Sequence, residues 1–356
     1  MSSEYSSHKL ASHPLVLDQM RRTGEGRLLS VHLMPQNLCN HRCSFCSYRL
    51  PENKNSEAFN EAAHIPIQWL NALLDDLESM GVLGIEVTGG GEPLAYPWQH
   101  ELWSGMARRG FATALVTNGT LLKDAALVTQ SMKWARVSID AGTPATYAET
   151  RGCPESHFER AWGAVAAMRE AAPDDPDFRL GVGFVLSNEN LGEILPFVRR
   201  ARDSGADNVR LSSTFSDKHL DYYKDQGRLA AAVEDARRAK VDFETDDFHV
   251  HDFVSTRLWE TAHPEQDYRR CPTKDLLCVV EGECRVYTCC TFTGSLSGLY
   301  GRFDEHPDGF RGLWEGAAQW RRDFDASTYC KCSCLYRDKN MAMNELIEGH
   351  LHREFV

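Results

Sequence analysis

The chain has 356 residues, a formal net charge of −12 and 12 cysteines. This length leaves room for one large domain and a smaller one, and the acidic balance argues against a nucleic-acid partner. A polar N-terminus and the lack of a long apolar run argue against a secretion signal and a membrane partner, so the cysteines indicate a reducing cytoplasmic setting and metal binding rather than disulfides.

Strand-like and helix-like runs alternate along the first 211 residues. In chain order the pattern predicts strands over residues 28–34, 84–88, 113–117, 135–139, 180–186 and 208–211, and helices over residues 67–80, 99–109, 123–132, 157–171 and 191–203. Such alternation is typical of parallel strands joined by crossover helices. Six units are too few for an eight-unit barrel, so we predict an α/β fold, an open partial (β/α)6 TIM-like barrel with active residues at the carboxyl ends of its strands.

Three cysteines follow the first predicted strand with C-x3-C-x2-C spacing. They are Cys39, Cys43 and Cys46. Three thiolates this close can hold three irons of a [4Fe–4S] cluster, because sulfur ligands suit iron–sulfur and zinc sites. The fourth iron would stay open to a cofactor. The alternatives are a zinc knuckle that includes His41, or buried free thiols.

A glycine-rich turn follows the second predicted strand. Gly89, Gly90 and Gly91 precede Glu92. Glycines at the carboxyl end of a strand let the backbone approach a ligand closely, and Glu92 could accept a hydrogen bond from an ammonium group. The alternative is a plain tight turn. The pattern is not a P-loop, because no Lys-Ser or Lys-Thr follows.

Further motifs fall at the ends of later strands. They are Val116-Thr117-Asn118-Gly119, Val137-Ser138-Ile139-Asp140 with Arg151 beyond it, and the strand end at Leu186 with Asn188 and Asn190. Together with an aromatic residue before the third cysteine and the Gly-Gly-Glu-Pro turn, they resemble the radical S-adenosylmethionine (SAM) superfamily across residues 28–215.

The resemblance implies a role for each matching residue. The first cluster would be bound by Cys39, Cys43 and Cys46. The SAM site would comprise Phe45 at the adenine, Gly89, Gly90, Gly91 and Glu92 at the methionyl amine, Ser138 and Asp140 at the ribose, Arg151 at the carboxylate, and Thr117 and Asn118 near the same mouth. Alternatively, Ser138 and Thr117 satisfy backbone groups at strand ends, and Asp140 caps the helix near Pro144.

A second group of cysteines surrounds a predicted hairpin over residues 276–280 and 284–288. Cys271 precedes it, Cys289 and Cys290 end it, and Cys330, Cys332 and Cys334 follow a helix predicted over residues 312–324. This arrangement resembles the twitch domain, a shorter relative of the SPASM extension. The resemblance implies a second, auxiliary [4Fe–4S] cluster held by Cys271, Cys289 and two of Cys330, Cys332 and Cys334. Cys290 competes with Cys289, and a structural zinc site is the alternative.

These features divide the chain into four predicted parts. They are an N-terminal extension (1–27), the radical SAM core (28–215), a helical bridge that completes the core (216–265), and the twitch/SPASM-like domain with a C-terminal helix (266–356). The helix is predicted over residues 340–356, where the methionines serve packing.

The resemblance implies an enzyme, a radical SAM oxidoreductase that cleaves SAM reductively to a 5′-deoxyadenosyl radical and abstracts hydrogen from a C–H bond. We expect it to oxidise or epimerise a small molecule, with an electron donor such as flavodoxin or ferredoxin as a partner. An epimerase needs a hydrogen donor, and Cys153 is the candidate. A peptide-modifying maturase is the alternative, slightly disfavoured because few residues precede the first strand. A non-catalytic electron carrier is the alternative from another class.

Overall fold

The fold is built on one mixed sheet of ten strands. The computed structural model describes residues 5–129, 132–172, 175, 177–262, 266–330 and 334–349. The strands are β1 Ser30–Leu33, β2 Gly84–Val87, β3 Ala112–Thr117, β4 Met132–Ser138, β5 Arg179–Leu186, β6 Asn208–Ser213, β7 His249–Asp252, β8 Leu277–Val280, β9 Arg285–Tyr287 and β10 Leu299–Arg302.

The sheet order is β10-β9-β8-β1-β2-β3-β4-β5-β6-β7. Strands β1 to β7 pair in parallel with their sequence neighbours, as crossover helices require. Strand β8 pairs in parallel with the outer edge of β1. Strands β9 and β10 then extend the sheet beyond β8 with antiparallel pairing. The predicted hairpin is thus part of the same sheet as the barrel strands.

Helices connect the strands in the described part of the chain. They are α1 Pro14–Thr23, α2 Ile67–Ser79, α3 Gln99–Arg108, α4 Ala125–Thr129, α5 Pro144–Arg151, α6 Ser156–Glu170, α7 Ile194–Asp203, α8 Gln226–Phe243, α9 Phe253–Ala262, α10 Thr273–Leu276, α11 Gly309–Gly316, α12 Ala318–Asp323, α13 Ala326–Tyr329 and α14 Arg337–Glu348. No helix among the described residues is long and apolar enough to cross a bilayer.

The main core lies between the sheet and its helices. In α2 the buried side chains are Leu70, Leu73, Leu74 and Leu77, at the helical spacing that gives one apolar face. This face packs in the same cluster as Val31 and the other inward residues of the strands. A second cluster joins α1 and α14, where Arg21 Nη2 donates to the Leu346 carbonyl at 2.7 Å.

The predicted α/β partial barrel is confirmed, with several differences in its elements. Strand β7 lies within the region predicted as a helical bridge. The helix predicted over residues 123–132 is wrong at its end, because α4 ends at Thr129 and Met132 already pairs with Thr113 in the sheet. The helix predicted over residues 312–324 is divided into α11 and α12. Residues 350–356 of the predicted C-terminal helix lie outside the described residues.

The hollow side of the sheet, called the lumen below, is closed at one place by the N-terminal segment. The ring of Tyr5 lies 4.5 Å from that of His251 and 5.3 Å from that of Phe253. Its hydroxyl accepts a hydrogen bond from Arg136 Nη1 at 3.3 Å. The residues that precede β1 therefore contribute directly to the interior of the barrel.

Candidate active site

The loop with Cys39, Cys43 and Cys46 lies at the carboxyl end of β1 and docks on the last turn of α5. The amide of Arg42 donates to the Arg151 carbonyl at 2.9 Å, and the amide of Ser44 donates to the Thr150 carbonyl at the same distance. Gly152 has a φ of +56°, and a Cβ there would lie 2.4 Å from the Arg42 carbonyl oxygen. The close approach of loop and helix therefore requires glycine at this position.

The three thiols are close enough to affect one another. Burial raises the pKa of Cys43 to about 12, the positive charge of Arg151 opposes this rise, and Cys46 and Cys39 add to it. Burial also raises the pKa of Cys39. Bound metal must displace these protons, because the thiolate is the ligand. Three thiols on one loop, beside a cation, fit a [4Fe–4S] cluster with one open iron.

His41, inside the cysteine loop, contacts a second histidine through one of its ring nitrogens. Its Nε2 lies 3.0 Å from His157 Nδ1, and the two rings are stacked. Cys153 completes a group in which all three ligand atoms lie within 4.8 Å of one another. The buried Nδ1 of His41 has no hydrogen-bond partner in the described structure. Only Nε2 of His41 is thus engaged by another side chain, and both the zinc-knuckle alternative and the role of Cys153 as hydrogen donor stay predictions.

The glycine-rich turn packs directly on the cysteine loop. The Gly91 amide donates to the Gln36 carbonyl at 3.1 Å, and the Glu92 amide donates to the Leu38 carbonyl at 2.9 Å. A Cβ on Gly91 would lie 2.1 Å from the Leu38 oxygen, and one on Gly90 would lie 2.6 Å from the Phe59 ring. Bare backbone is therefore needed to bring this turn against the cysteine loop.

The Glu92 carboxylate is buried and joins the ends of two strands. Its Oε1 accepts from the Leu94 amide at 3.0 Å and from the Thr117 hydroxyl, and its Oε2 accepts from the Asn118 amide at 2.8 Å. Burial raises the pKa of Glu92, while these hydrogen bonds oppose the rise. The Thr117 oxygen also accepts from the Gly119 amide at 2.9 Å. The structure thus brings together three of the predicted SAM-binding residues.

Asp140 and Arg151 form a buried ion pair between Oδ2 and Nη1. The other carboxylate oxygen of Asp140 accepts from the Val185 amide at 2.7 Å, and its carbonyl accepts from Asn190 Nδ2 at 2.8 Å. Both carboxylate oxygens therefore have protein partners, so Asp140 holds Arg151 beside the cysteine loop. Its predicted ribose contact stays a prediction. The alternative cap is wrong, because Thr143 caps α5 by accepting from the Thr146 amide.

Two other predicted SAM-site residues lie near this group. Phe45 is half-buried in the cysteine loop. Ser138 ends β4 opposite Gly183 of β5, and a Cβ on Gly183 would lie 3.7 Å from the Ser138 hydroxyl oxygen. The missing side chain at Gly183 therefore leaves space in front of Ser138. The roles predicted for both residues stay predictions.

The second cysteine group surrounds one small cavity. Four cysteines line it, namely Cys271, Cys289, Cys330 and Cys334. Burial raises the pKa of Cys289, and the neighbouring Cys290, Cys330, Cys334 and Cys271 raise it further. Cys332 lies outside the described residues. Four thiols around one cavity fit a metal cluster in their number and type.

Polar neighbours of this cavity were not identified from the sequence. The Tyr268 hydroxyl lies 3.2 Å from Cys334 Sγ, and Asn340 Nδ2 donates to Cys271 Sγ at 3.4 Å. Such contacts orient sulfur ligands and tune a bound cluster. Asn340 and Tyr268 also hydrogen-bond each other at 3.0 Å. A search for polar residues within a few positions of the cysteines would have found Tyr268, but no sequence signal distinguishes Asn340.

Cys290 is not part of the second cavity. Its Sγ donates to the Tyr336 hydroxyl at 3.4 Å, and its pKa is raised chiefly by burial and also by Glu86 of β2. The structure therefore distinguishes Cys289 from Cys290 as a candidate ligand, because the two adjacent thiols face different spaces. Cys289 joins the other three cysteines, whereas Cys290 lies near the residues of the lumen.

Comparison with known proteins relates part of this chain, including its cysteine loop, to one family. Residues 33–201 match the family model described as the radical SAM superfamily. Over 232 residues the chain is 26% identical to the PqqA peptide cyclase of Gluconobacter oxydans, a match that covers 60% of each chain. Over 121 residues it is 31% identical to an S-adenosylmethionine-dependent nucleotide dehydratase of Flammeovirga pacifica, which covers 33% of this chain and 41% of that one.

A solved structure supports the fold beyond the matched domain. Streptococcus suis SuiB bound to S-adenosylmethionine is similar with a TM-score of 0.62 at 15% identity, over 94% of this chain and 80% of that one. The matches to the two sequence relatives, by contrast, cover only 60% and 41% of the lengths of those proteins. Proteins of the matched family use a [4Fe–4S] cluster and SAM. Residues 33–201 therefore match the domain of the radical SAM superfamily, and a C-terminal extension follows them.

Proposed function

We propose that this protein is a radical SAM oxidoreductase that removes a hydrogen atom from a substrate in the lumen and then oxidises the substrate with the help of a second cluster. The observation that carries the proposal is the cavity lined by Cys271, Cys289, Cys330 and Cys334. Of the late cysteines that the structure describes, Cys330 and Cys334 both line it. They therefore complete the proposed ligand set.

The two sites would supply complementary chemistry. When bound, the first cluster and SAM supply a 5′-deoxyadenosyl radical for hydrogen abstraction, and the second cluster supplies an electron acceptor. At the first site Cys39, Cys43 and Cys46 would be the ligands. At the second site Tyr268 and Asn340 hold two of the sulfur atoms in place.

The protein's own groups at the first site are arranged to bind an amino acid head group. Glu92 Oε2 accepts one hydrogen bond, from Asn118, and a carboxylate oxygen can accept more than one. It is therefore a suitable acceptor for the SAM ammonium. Arg151, held by Asp140, would pair with the SAM carboxylate. Phe45 and Ser138 would contact the adenine and the ribose.

A peptide substrate is the second candidate. Its support is the match to an enzyme named PqqA peptide cyclase, which covers 232 residues. The reaction would then be a crosslink or thioether formation rather than the dehydrogenation or epimerisation of a small molecule. A precursor peptide encoded beside this gene would favour the peptide, and sugar-biosynthesis genes would favour the small molecule.

Iron analysis after anaerobic reconstitution tests the two-site proposal. Wild-type protein should bind about eight irons, and the Cys39→Ala/Cys43→Ala/Cys46→Ala variant should retain about four and lose 5′-deoxyadenosine formation. The Cys271→Ala/Cys289→Ala variant should retain about four irons and still cleave SAM. Iron content and Mössbauer spectra give the first readout, and chromatography of 5′-deoxyadenosine gives the second.

The matched control is Cys278→Ala, which removes a buried thiol on β8 that belongs to neither site. It should keep both the iron content and the SAM cleavage of the wild type. Undiminished 5′-deoxyadenosine from the first triple variant would refute the first site. Stoichiometric zinc, or no iron left in that variant, would refute the second site and remove the electron acceptor from the proposal.

A further inference from the structure

The lumen carries several cations although the chain as a whole is acidic. Arg136 on β4 and Arg210 on β6 are joined there by Arg257 of α9 and Lys339 of α14. Burial lowers the pKa of Arg210 to about 10, and the positive charges of Arg136 and Arg257 lower it further. Burial also lowers the pKa of Lys339, and Arg257 and Arg210 add to that effect. These four side chains therefore share one interior space.

The acidic groups that face these cations do not balance them. The negative charge of Glu86 on β2 acts to raise the pKa values of Arg210 and Lys339. Its carboxylate also lies 3.5 Å from His32 Nε2 on β1. Asp338 lies 3.1 Å from Arg257 Nη2. Within the described residues the lumen thus retains an excess of positive charge near Arg210.

Arg210 differs from its cationic neighbours in its partners. Arg257 donates to the Leu335 carbonyl at 3.1 Å in addition to pairing with Asp338. Arg210 makes no hydrogen bond or ion pair with the described residues, and its buried Nε has no partner. It lies only over the rings of Tyr5 and Phe253, at 5.8 and 5.4 Å from their centroids. Arg210 is half-buried, and a partly desolvated guanidinium without a counter-ion is unfavourable, so a ligand that supplies a negative charge explains its presence.

A cleft of about 500 Å³ opens beside this guanidinium, at the carboxyl ends of β6 and β7. It is lined by Arg210, Arg257, the hydroxyl residues Ser212 and Ser213, and Cys334. Cys334 also lines the cavity of the second cysteine group. The cleft therefore adjoins the proposed electron acceptor and offers both charge and hydroxyl donors.

We propose that this cleft binds an oxyanion of the substrate, a carboxylate or a phosphate, with Arg210 as its counter-ion. Guanidinium and hydroxyl groups are suitable donors to both kinds of oxyanion. The inference rests on the proposed function, because that function places the substrate in the lumen. An anion anchored here would hold the substrate beside Cys334 and fix which of its C–H bonds faces the SAM site.

Binding of small oxyanions to the reconstituted protein tests the proposal without any need for turnover. Inorganic pyrophosphate and succinate are titrated separately by calorimetry, and melting temperatures are recorded with each anion at constant ionic strength. Wild-type protein should bind at least one of them, and the tighter one identifies phosphate or carboxylate as the preferred group. Arg210→Met should weaken that binding roughly 10- to 150-fold, the range for losing a charged hydrogen-bond partner.

Two further variants separate a ligand site from a structural cation. Arg202→Met is the matched control, because Arg202 lies over the Phe243 ring at 5.2 Å on the outside of the barrel. It should leave anion binding unchanged. Ser212→Ala keeps the guanidinium and should weaken the preferred anion about 2- to 10-fold. It gives a result even if Arg210→Met does not fold.

The stability of the ligand-free protein provides a second readout. Removing a half-buried charge without a counter-ion should keep or raise the melting temperature of Arg210→Met. A lower melting temperature together with unchanged anion binding would mean that Arg210 stabilises the fold by packing on Tyr5 and Phe253. That result would overturn the proposal. Absence of binding by either anion to the wild type would overturn it as well. Iron content and SAM cleavage are measured separately, so failure of this inference is distinguishable from failure of the proposed function.

Discussion

Asp140 shows how a single residue can organise a binding site without necessarily touching the ligand. It has a φ of +62°, a conformation that Asp adopts more readily than most residues. This turn directly after β4 lets its carboxylate reach Arg151 on α5 and the Val185 amide on β5. The guanidinium is therefore fixed before any ligand arrives, and such preorganisation lowers the cost of binding.

Glu92→Gln should weaken SAM binding roughly 10- to 150-fold, because the replacement removes the negative charge that would face the ammonium group. Equilibrium SAM binding to the reconstituted protein measures this change. The variant should also be less stable, because an amide NH₂ cannot accept from both the Leu94 and Asn118 amides.

Glu193→Gln is the matched control for this variant. Glu193 also accepts hydrogen bonds from a backbone amide, that of Gly142, and from the hydroxyl of Thr146. It should lose stability and keep its affinity for SAM. Equal SAM affinity in Glu92→Gln and the wild type would assign Glu92 to the fold alone.

The sequence motifs selected candidate site residues, but they did not predict the contacts between those residues. Cys39, Glu92 and Arg151 could be selected because their motifs are spaced regularly after strands. The Asp140–Arg151 pair was not predicted, since it depends on a backbone turn that sequence spacing does not encode. The contacts of Asn340 and Arg210 depend on long-range packing, which local patterns do not contain.

At the scale of elements, the junction of the glycine-rich turn with the cysteine loop depends on close backbone contact. Gly91→Ala would place a Cβ 2.1 Å from the Leu38 oxygen, and the loop would have to move. We expect this variant to lose the iron of the first site and to keep the iron of the second. Iron content and Mössbauer spectra measure both.

The control for Gly91→Ala is Gly163→Ala within α6, where a Cβ would meet nothing within 4 Å. Alanine in a helix interior should raise the stability by about 0.5–1 kcal/mol. Both iron sites should remain filled. Loss of iron from both glycine variants would mean that the effect is not specific to the turn.

Strand β7 was not predicted because its sequence, His-Val-His-Asp, is largely polar and lacks an apolar pattern. Its position depends on Glu244 at the end of α8, whose Oε2 accepts from the Val250 amide at 2.7 Å. Burial acts to raise the pKa of Glu244, but this hydrogen bond and one from His249 outweigh it and lower the pKa. Helix α8 and the strand are thus joined by a carboxylate.

The lowered pKa of Glu244 gives stability a definite pH dependence. The contribution of the carboxylate should be complete above the unfolded pKa of about 4.3 and disappear as the pH falls through the lower folded value. Glu244→Gln should therefore be less stable than the wild type at pH 7, by about 1 kcal/mol or less because the group is half-exposed. Urea unfolding at pH 7 and below pH 4 measures the difference, and a difference that grew in acid would contradict the assignment.

At the scale of the whole molecule, the C-terminal extension shares the sheet of the barrel. Residues Ser30 to Leu33 of β1 pair on one side with β2 and on the other with β8. Asn37 adds a buried hydrogen bond to Glu281 at 2.8 Å, in the turn after β8. The alternation of elements predicted the barrel, but the sequence could not predict where the hairpin pairs, because strand order depends on contacts across some 240 residues.

This continuity predicts a single unfolding transition. Asn37→Ala should lower the free energy of unfolding by about 1–3 kcal/mol, since it removes one of the two donors to the buried Glu281 carboxylate and leaves only the Glu283 amide. Near-ultraviolet circular dichroism and iron release from the second site should shift together. The control is Asn60→Ala, whose contact with Glu283 is exposed and should contribute less than about 0.5 kcal/mol. Two separate transitions would show that the extension folds independently.

The pairing of β8 with β1 also bears on how such a protein can change over evolutionary time. Neighbouring strands are held about 4.7–4.9 Å apart by their ladder of hydrogen bonds, so the spacing of the two sulfur-lined sites depends on strand register. Insertions between β10 and α11, where Glu305, Pro307 and Asp308 are exposed, would lengthen a surface connection at little entropic cost. They would leave the route between the two sites unchanged. Sequence drift in that segment is therefore compatible with a fixed distance between the two sites.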